Sequence, residues 1–411
     1  MRPIVDNGPA GPTASLYVHL PFCRERCSYC SFPTVADEPA LHAPLVDAVL
    51  AEARRVAAVP LVEAPLESLY LGGGTPGLIA APLLGRLLGE LKLIWAFQSD
   101  IELTLEVNPA NVTEQSLEAW DALGVSRLSV GVQTFDDKAL ARLGRRHDAQ
   151  RASAALRDIR RAWRWTWSAD LLAGWSGQTL PALEGDLGRL LESGAPHISV
   201  YALTVEPGTP LAALQRAGRT VAISAALEPE FDSRCAQLLT GSDFERYEVS
   251  NYARAGHRSR HNQVYWADRS YLGLGPGAAS SIHPHRWVNR PDLTGYIEAA
   301  RTRRSLRVSA EAIHPLSRLV EVLGVGLRTA DGVDRRDLDR RFGAGTAAAI
   351  GRAGRLIQSA GLLILTEPRI RIPGHALARA DSIATELIVS STDDESSSAG
   401  LLDIAARSNA S

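Results

Sequence analysis

Three cysteines lie close together near the start of the chain, at Cys23, Cys27 and Cys30, with the spacing C-x3-C-x2-C. Iron–sulfur clusters are bound by cysteine thiolates, normally by four of them. Three thiolates leave one iron of a [4Fe-4S] cluster open, and that iron can bind a small molecule that chelates through nitrogen and oxygen. The spacing therefore predicts such a cluster. The remaining cysteine, Cys235, is expected to be a small buried apolar residue.

Two other uses of clustered cysteines fit the sequence less well. A disulfide framework needs an even, dispersed set of cysteines in a secreted protein. A structural zinc site usually takes four Cys or His ligands, often in two separated pairs. The sequence contains no second C-x2-C pair, so the iron–sulfur interpretation is favoured.

Composition narrows the class of protein. The chain has 411 residues, of which 45% are hydrophobic and 22% are charged, as in ordinary globular proteins. A net charge of −2 argues against nucleic acid or an anionic membrane as a partner bound through bulk charge. No run of about 20 apolar residues predicts a transmembrane helix, and the first residues, MRPIVDNGPAGPT, lack the apolar core of a signal peptide. Free clustered thiols suit a reducing compartment, so the expected location is cytoplasmic.

Short apolar runs alternate with longer amphipathic segments, which predicts an α/β fold. Six such units imply a parallel sheet with right-handed crossovers. The polar motifs fall at the carboxyl ends of the strands, which favours a partial (β/α)6 barrel over the alternative, a doubly wound open sheet. The predicted strands are Leu16–Leu20, Ser68–Leu71, Ile101–Val107, Arg127–Val132, Thr166–Leu172 and Ile198–Leu203. The predicted helices include Leu45–Val59, Ala81–Trp95, Thr113–Leu123, Asp148–Ala162 and Leu180–Glu192.

The chain is expected to have four parts. Residues 1–13, rich in Pro and Gly, form a flexible tail, and residues 14–304 form the barrel with a segment that closes it. Residues 305–390 form a C-terminal helix-rich, winged-helix-like domain, in which Leu362–Leu365 and Ile370–Ile372 are expected to pair as a hairpin. Residues 391–411, rich in Ser and Asp, form a disordered tail.

Polar residues and glycines follow the predicted strands. Gly72-Gly73-Gly74-Thr75-Pro76 follows the second strand, where glycines let a backbone approach a ligand closely; the alternative is a tight turn. Glu106 lies at the end of the third strand and suits ribose hydroxyls or an ammonium group, although a capping or ion-paired role is the alternative. Gln133, Arg145 and Asp170 extend this ring of polar groups, and Arg145 suits a bidentate pair with a carboxylate.

A later stretch is rich in aromatic residues. It contains His261-Asn262-Gln263-Val264-Tyr265-Trp266, followed by glycine turns at 273–277. His261 is a candidate axial ligand of haem iron, and Tyr265 and Trp266 are candidates for contact with a flat ligand. The alternative is that this segment closes the open side of the barrel. His257 lies four residues before His261, but Gly256 disfavours a regular helix that would place both on one face.

Together these motifs resemble the radical S-adenosylmethionine (SAM) superfamily, and most closely the oxygen-independent coproporphyrinogen III oxidase family. The resemblance runs from about Tyr17 to residue 385, through the blocks YVHLPFCRERCSYCSF, YLGGGTP, LTLEVNP, SVGVQTF and HNQVYW. It implies a partial barrel with a C-terminal helical domain, and cluster ligation by the three clustered cysteines with SAM on the open iron. The SAM contacts that it implies are Tyr17, Tyr29, Gly73, Gly74, Thr75, Glu106, Gln133, Arg145, Asp170, Ala202 and Ala279.

Two branches of this family differ in sequence. The oxidase has a fourth cysteine two residues after the third, where this chain has Phe32, and the H-N-x-x-Y-W block is typical of the haem-chaperone branch. The resemblance thus implies a protein that carries haem to acceptor proteins. Three alternatives stay open: the oxidase itself, a radical SAM enzyme with another substrate, and a structural iron–sulfur protein. The chain departs from the family pattern at Ser31 and at Gly174-Trp175-Ser176-Gly177.

Overall fold

The computed structural model describes residues 6, 8–9, 11–62, 64–220 and 228–393. Most of the predicted C-terminal tail, residues 394–411, and part of the predicted N-terminal tail, residues 1–5, 7 and 10, lie outside the described residues. Within the described ranges, no helix is both long enough and apolar enough to cross a membrane.

Strands and helices alternate regularly through the first half of the chain. The strands are β1 (Ser15–Leu20), β2 (Phe22–Cys23), β3 (Val35–Ala36), β4 (Leu66–Gly73), β5 (Phe97–Val107), β6 (Arg127–Gln133), β7 (Thr166–Ala173), β8 (His197–Ala202), β9 (Glu245–Arg246), β10 (Asn251–Ala253), β11 (Leu272–Leu274), β12 (Ala279–Ile282), β13 (His285–Asn289), β14 (Arg307–Ala312), β15 (Val333–Asp334), β16 (Ile364–Leu365) and β17 (Arg369–Arg371). The α-helices are α1 (His42–Ala57), α2 (Ala81–Ile94), α3 (Glu114–Ala122), α4 (Asp137–Leu143), α5 (Ala149–Ala162), α6 (Leu180–Ser193), α7 (Pro210–Arg216), α8 (Glu228–Thr240), α9 (Arg260–Trp266), α10 (Leu293–Arg301), α11 (Pro315–Gly326), α12 (Arg335–Phe342), α13 (Thr346–Ala353), α14 (Arg355–Ser359) and α15 (Ala380–Asp393).

One large sheet organises this half of the chain. Its strand order is β11-β1-β4-β5-β6-β7-β8-β10-β9. The six strands β1, β4, β5, β6, β7 and β8 are parallel and are neighbours in the order of the chain. Because the order never reverses, right-handed crossovers place the helices on one face, as in a barrel and not as in a doubly wound sheet. The predicted partial barrel is confirmed. Each of the six predicted strands and five predicted helices exists, with ends that differ by up to four residues.

The two faces of the barrel strands differ in polarity. On one face, residues such as Leu69, Leu71 and Leu105 join helix residues in the main apolar core. On the other face, Ser68 and Thr104 are fully buried in a polar interior. Period-two alternation of apolar and polar residues produces this arrangement, and it leaves polar side chains pointing at the space that the strands surround.

The C-terminal region has its own apolar core, built from residues between Leu319 and Leu387. The predicted hairpin forms as the antiparallel pair β16 and β17, and β15 joins it in a three-stranded sheet of order β15-β17-β16. Helices α11 to α15 surround this sheet, in agreement with the helix-rich, winged-helix-like fold. β14 pairs with β13 of the preceding segment, and the domain boundary at residue 305 stays a prediction.

A buried ion-pair network joins the C-terminal helices to the rest of the chain. Arg341 in α12 contacts Asp268 at 2.8 Å and Asp6 at 3.4 Å, and Arg318 in α11 contacts Asp268 at 2.9 Å. The Arg341 side chain is only 1% exposed. Charges removed from water are stable only when they are paired, so this network fixes the contact between the two parts of the chain.

Candidate functional site

The cysteine loop follows β1 and is held by its backbone. The Ser28 amide donates to the Leu143 carbonyl at 3.0 Å, and the Ser28 carbonyl accepts from the Leu211 amide at 2.8 Å. Gly144, with φ of 77°, caps α4 directly behind this point, where an added Cβ would lie 3.3 Å from the Ser28 nitrogen. The loop is therefore clamped between the end of α4 and the start of α7 by bonds that involve no sulfur atom.

The three clustered thiols are free and half-buried. The Thr75 hydroxyl lies 3.9 Å from Cys23 Sγ, and Arg145 Nη1 lies 3.6 Å from Cys27 Sγ. Burial raises the pKa of Cys23 to about 11 and also raises the pKa of Cys30. Within the described part of the chain, no three His, Cys, Asp or Glu side chains converge as ligands of one metal ion. A cluster binds each thiolate through a different iron atom, so its cysteines need not converge on one point.

The cysteines line one wall of a cavity of about 460 Å³, which we call the cluster cavity. The polar ends of several barrel strands form its other walls. The cavity brings together most of the residues that the sequence singled out, namely Cys23, Cys27, Tyr29, Cys30, Gly73, Gly74, Thr75, Glu106, Gln133, Arg145 and Asp170.

Glu106 in β5 is a half-buried carboxylate inside the cluster cavity. Its Oε1 accepts from the Tyr70 hydroxyl at 2.8 Å, and its Oε2 accepts from the Gly73 amide at 3.0 Å. Burial raises the pKa of Glu106 to about 7, although these two hydrogen bonds oppose the shift. Glu106 is therefore an acceptor whose charge changes near neutral pH.

Asp170 in β7 offers a second carboxylate. Its Oδ2 accepts from the Ser129 hydroxyl at 2.9 Å, whereas its Oδ1 is buried without a hydrogen-bond partner among the described residues. Burial raises the pKa of Asp170, and the neighbouring hydroxyl groups of Ser199 and Ser129 oppose this shift. A buried acceptor without a partner calls for a ligand or a water molecule, so Asp170 fits a donor group of a bound molecule.

The end of β6 is irregular where it reaches the cluster cavity. The register with β7 shifts between Gly131 and Gln133, and Gln133 has φ of 76°, which is unusual for a residue other than glycine. An added Cβ at Gly131 would lie 2.9 Å from Gln133 Nε2 and 3.1 Å from Arg145 Nη2. The bulge therefore turns Gln133 into the cavity, and Gly131 leaves room for the ends of both side chains.

The glycine turn after β4 is required by close packing. An added Cβ at Gly73 would lie 2.4 Å from the His19 ring, and one at Gly74 would lie 2.5 Å from the Phe22 carbonyl oxygen. Gly73 also has φ of 109°. These glycines therefore let the end of β4 approach the start of the cysteine loop, and they also line the cavity.

Three of the implied SAM contacts lie outside the cavity lining. Tyr17 donates to or accepts from His19 Nδ1 at 2.9 Å and stacks on Tyr70 with ring centroids 6.1 Å apart. Ala202 ends β8 on an exposed stretch, and Ala279 begins β12. The roles of these residues stay predictions.

His261, a haem candidate, lies in α9 and is buried. Its Nδ1 bonds to the Ser68 hydroxyl at 2.9 Å and its Nε2 to the Tyr265 hydroxyl at 2.8 Å. Burial lowers the pKa of His261 to about 3. Tyr265 is thus a partner of His261, and Trp266 stacks under Arg328 at 6.0 Å. Haem contact by these three residues stays a prediction, and iron ligation by His261 would require one of its two hydrogen bonds to break.

The structure also assigns residues to this region that the sequence did not single out. Tyr70 orients Glu106, and Tyr201 at the end of β8 lines the cluster cavity. Arg127 at the start of β6 is 2% exposed, and its Nε has no hydrogen-bond partner within the described ranges. The alternation of side chains along β4 and β6 was the available signal, because it places Tyr70 and Arg127 on the interior face.

Comparisons with known proteins agree with this geometry. Residues 17–190 match the model of the radical SAM superfamily. A protein of Synechocystis sp. named Heme chaperone HemW is 34% identical over 327 residues, which cover 78% of this chain and 79% of that protein. The chain belongs to the radical SAM superfamily. A radical SAM protein of Bos taurus, named Radical S-adenosyl methionine domain-containing protein 1, mitochondrial, is 33% identical over 94% of this chain and 91% of its own length.

The solved structure of the radical SAM enzyme coproporphyrinogen III oxidase (HemN) from Escherichia coli has the same fold. It aligns with a TM-score of 0.77 and covers 92% of this chain and 90% of its own, at 22% sequence identity. This likeness extends through the C-terminal region, so the helix-rich part belongs to the shared fold.

Membership of the radical SAM superfamily implies a [4Fe-4S] cluster and SAM, and the residues of the cluster cavity fit both groups. Three free thiols stand on one wall. The unpartnered Asp170 Oδ1 and the bonded pair of oxygens of Glu106 face the same space. Thiolates bind iron–sulfur clusters, and buried carboxylates accept hydrogen bonds from hydroxyl and ammonium groups.

Proposed function

We propose that this protein binds haem and passes it to acceptor proteins, with a [4Fe-4S] cluster and SAM bound in the cluster cavity. The observation that carries the proposal is the identity of 34% with a protein named Heme chaperone HemW, over more than three quarters of both chains. Phe32 supports it, because the oxidase branch has a cysteine at this position.

Individual residues of the cluster cavity would have separate binding roles. Cys23, Cys27 and Cys30 would hold the cluster, which when bound would supply an open iron for SAM. Glu106 would accept hydrogen bonds from the ribose hydroxyls, and Arg145 would neutralise nearby negative charge, since it lies 3.6 Å from the sulfur of Cys27. The proposed place of action is the cytoplasm, where thiols stay reduced.

The test is anaerobic and compares two substrates. The chain is reconstituted with iron and sulfide, reduced, supplied with SAM and divided between haem and coproporphyrinogen III. The proposal expects one haem bound per chain, seen as a Soret shift, and no protoporphyrinogen. Protoporphyrinogen formed together with 5′-deoxyadenosine, methionine and CO2 would make the protein an oxidase and overturn the proposal.

Cluster ligation has its own control. Cys27→Ala should abolish the cluster absorbance and the bound iron, whether the protein is a haem carrier, an enzyme or a structural iron–sulfur protein. Cys235→Ala is the matched variant, because Cys235 is a buried residue of the main apolar core. It should keep full iron and sulfide content. Loss of iron in Cys235→Ala would count against ligation by the three clustered cysteines alone.

A further inference from the structure

The opening of the cluster cavity carries two exposed aromatic side chains. Phe32 is 64% exposed and Tyr201 is 41% exposed, and both line the cavity. Phe32 lies in the loop between β2 and β3, just after the clustered cysteines, whereas Tyr201 lies near the end of β8. The two rings therefore reach the same cavity from different parts of the fold. Exposed aromatic residues beside a cavity are typical of sites that bind flat apolar ligands.

The same cavity also carries guanidinium groups. Its lining has three arginines, Arg24, Arg145 and Arg146, and three carboxylates, Glu25, Glu106 and Asp170, so it has no net charge. Glu25 is ion-paired with Arg146. Guanidinium groups bind carboxylates through paired hydrogen bonds, so Arg24 and Arg146 suit the negative groups of a ligand.

The cluster cavity is too small to hold a large ligand in addition to the cluster and SAM, so such a ligand would bind at its opening. A volume of about 460 Å³ is that of a site for one small molecule, and the cluster with SAM would occupy it. The cavity lining contains neither histidine nor methionine among the described residues. A ligand at the opening is therefore held through its ring faces and its negative groups.

We propose that Phe32, Tyr201, Arg24 and Arg146 form a porphyrin rim, which binds the flat macrocycle against the aromatic rings and its carboxylates through the arginines. This inference rests on the proposed function and adds to it the surface that receives the cargo. It differs from binding through His261, whose ring nitrogens bond to Ser68 and Tyr265.

The first test uses three ligands on the cluster-loaded wild-type protein with SAM. They are haem, protoporphyrin without iron, and the dimethyl ester of that protoporphyrin. The rim holds the ring and its carboxylates, so the iron-free porphyrin should bind within about threefold of haem, and the ester about tenfold more weakly. Haem binding that is lost with the iron would overturn the rim and support an axial ligand such as His261.

The second test uses variants of the rim. Phe32→Ala and Tyr201→Ala should each weaken porphyrin binding about tenfold, whereas Tyr201→Phe, which keeps the ring, should retain it. Arg24→Gln should weaken binding and reduce its dependence on salt. Cluster absorbance reports that each variant is folded, and exposed positions tolerate such changes.

Trp165→Ala is the matched control, since Trp165 is also exposed, at 45%, but lines a separate cavity near the start of β7. It should bind like the wild type. Wild-type affinity in both Phe32→Ala and Tyr201→Ala would overturn the rim while leaving the proposed function in place. A wild-type protein that binds no haem would overturn the proposed function itself.

Discussion

Burial sets the charge of the individual side chains that surround the cluster cavity. Glu106 has a pKa raised to about 7, and His261, on the other side of Tyr70, has a pKa lowered to about 3. In each case burial disfavours the charged form. At neutral pH His261 is therefore neutral, whereas Glu106 is divided between its charged and neutral forms.

SAM binding should depend on the charge of Glu106. The ionised carboxylate attracts a ligand that carries positive charge, and protonation removes this attraction. Because the pKa of Glu106 is about 7, SAM affinity should be constant above pH 8 and fall toward acid pH below 7. Glu106→Gln should bind weakly at all pH values and lose this dependence, as measured by calorimetry on the cluster-loaded protein. Glu118→Gln, an exposed position in α3, should keep the wild-type profile.

Arg127 should matter both for the site and for stability. The guanidinium is buried, and its charge lowers the pKa of both Glu106 and Asp170. Removing this charge leaves the nearby carboxylates of Glu102 and Asp170 with less compensation, and removing one partner of a buried charge pair is destabilising. Arg127→Met should therefore lower the thermal midpoint and shift the pH profile of SAM binding to higher pH. A pH profile that stays at the wild-type position would contradict this.

At the scale of elements, the bulge of β6 and the loop after α4 place two side chains in one small space. Gly131 makes this possible, because both Gln133 and Arg145 end within 3.1 Å of where its Cβ would be. Both ends are flexible, so they can move aside at low cost. A side chain added at Gly131 should therefore disturb the site without preventing the chain from folding.

Gly131→Ala should fold normally and bind SAM poorly. The new methyl group would displace Gln133 Nε2 and Arg145 Nη2, and with them the contact of Arg145 with Cys27. We expect an affinity for SAM reduced about tenfold, with a thermal midpoint close to that of the wild type. Gly185→Ala lies in α6, where an added Cβ would point into open space. It should leave SAM binding unchanged and stabilise the helix by about 1 kcal/mol. Equal SAM affinity in the two variants would argue against a displacement of Gln133 and Arg145 by the new methyl group.

The barrel strands were predictable because their period of two and their spacing are local features of the sequence. The cavity wall was predictable to the extent that polar residues end those strands, as Glu106 and Gln133 do. The pairing of β11 with β1 was not, because Leu272–Leu274 lies among glycines and joins β1 only through long-range contacts. The burial of His261 could not be predicted from the sequence either, because its hydrogen-bond partners Ser68 and Glu102 are far away along the chain.

At the scale of the whole molecule, Arg341 joins the C-terminal helices to the barrel-closing segment and to Asp6. Its removal would leave Asp268 buried with less compensation, and breaking a buried pair typically costs about 3–5 kcal/mol. Arg341→Met should lower the free energy of unfolding by about that amount in chemical denaturation. Arg161→Gln, which breaks an exposed pair with Glu114 at 3.7 Å, should have little effect. A small loss in Arg341→Met would show that the network contributes little.

The clamped cysteine loop has a consequence for the protein before it receives iron. The amide of Ser28 is bonded to Leu143, and that of Val35 to Pro21, at 3.0 Å in both cases. Neither bond needs the cluster. These two amide hydrogens should therefore exchange slowly with deuterated water even in the iron-free chain, while the exposed amides of Arg24 and Arg26 exchange fast. A loop that keeps its shape without metal can lose its cluster to oxygen and be refilled without refolding.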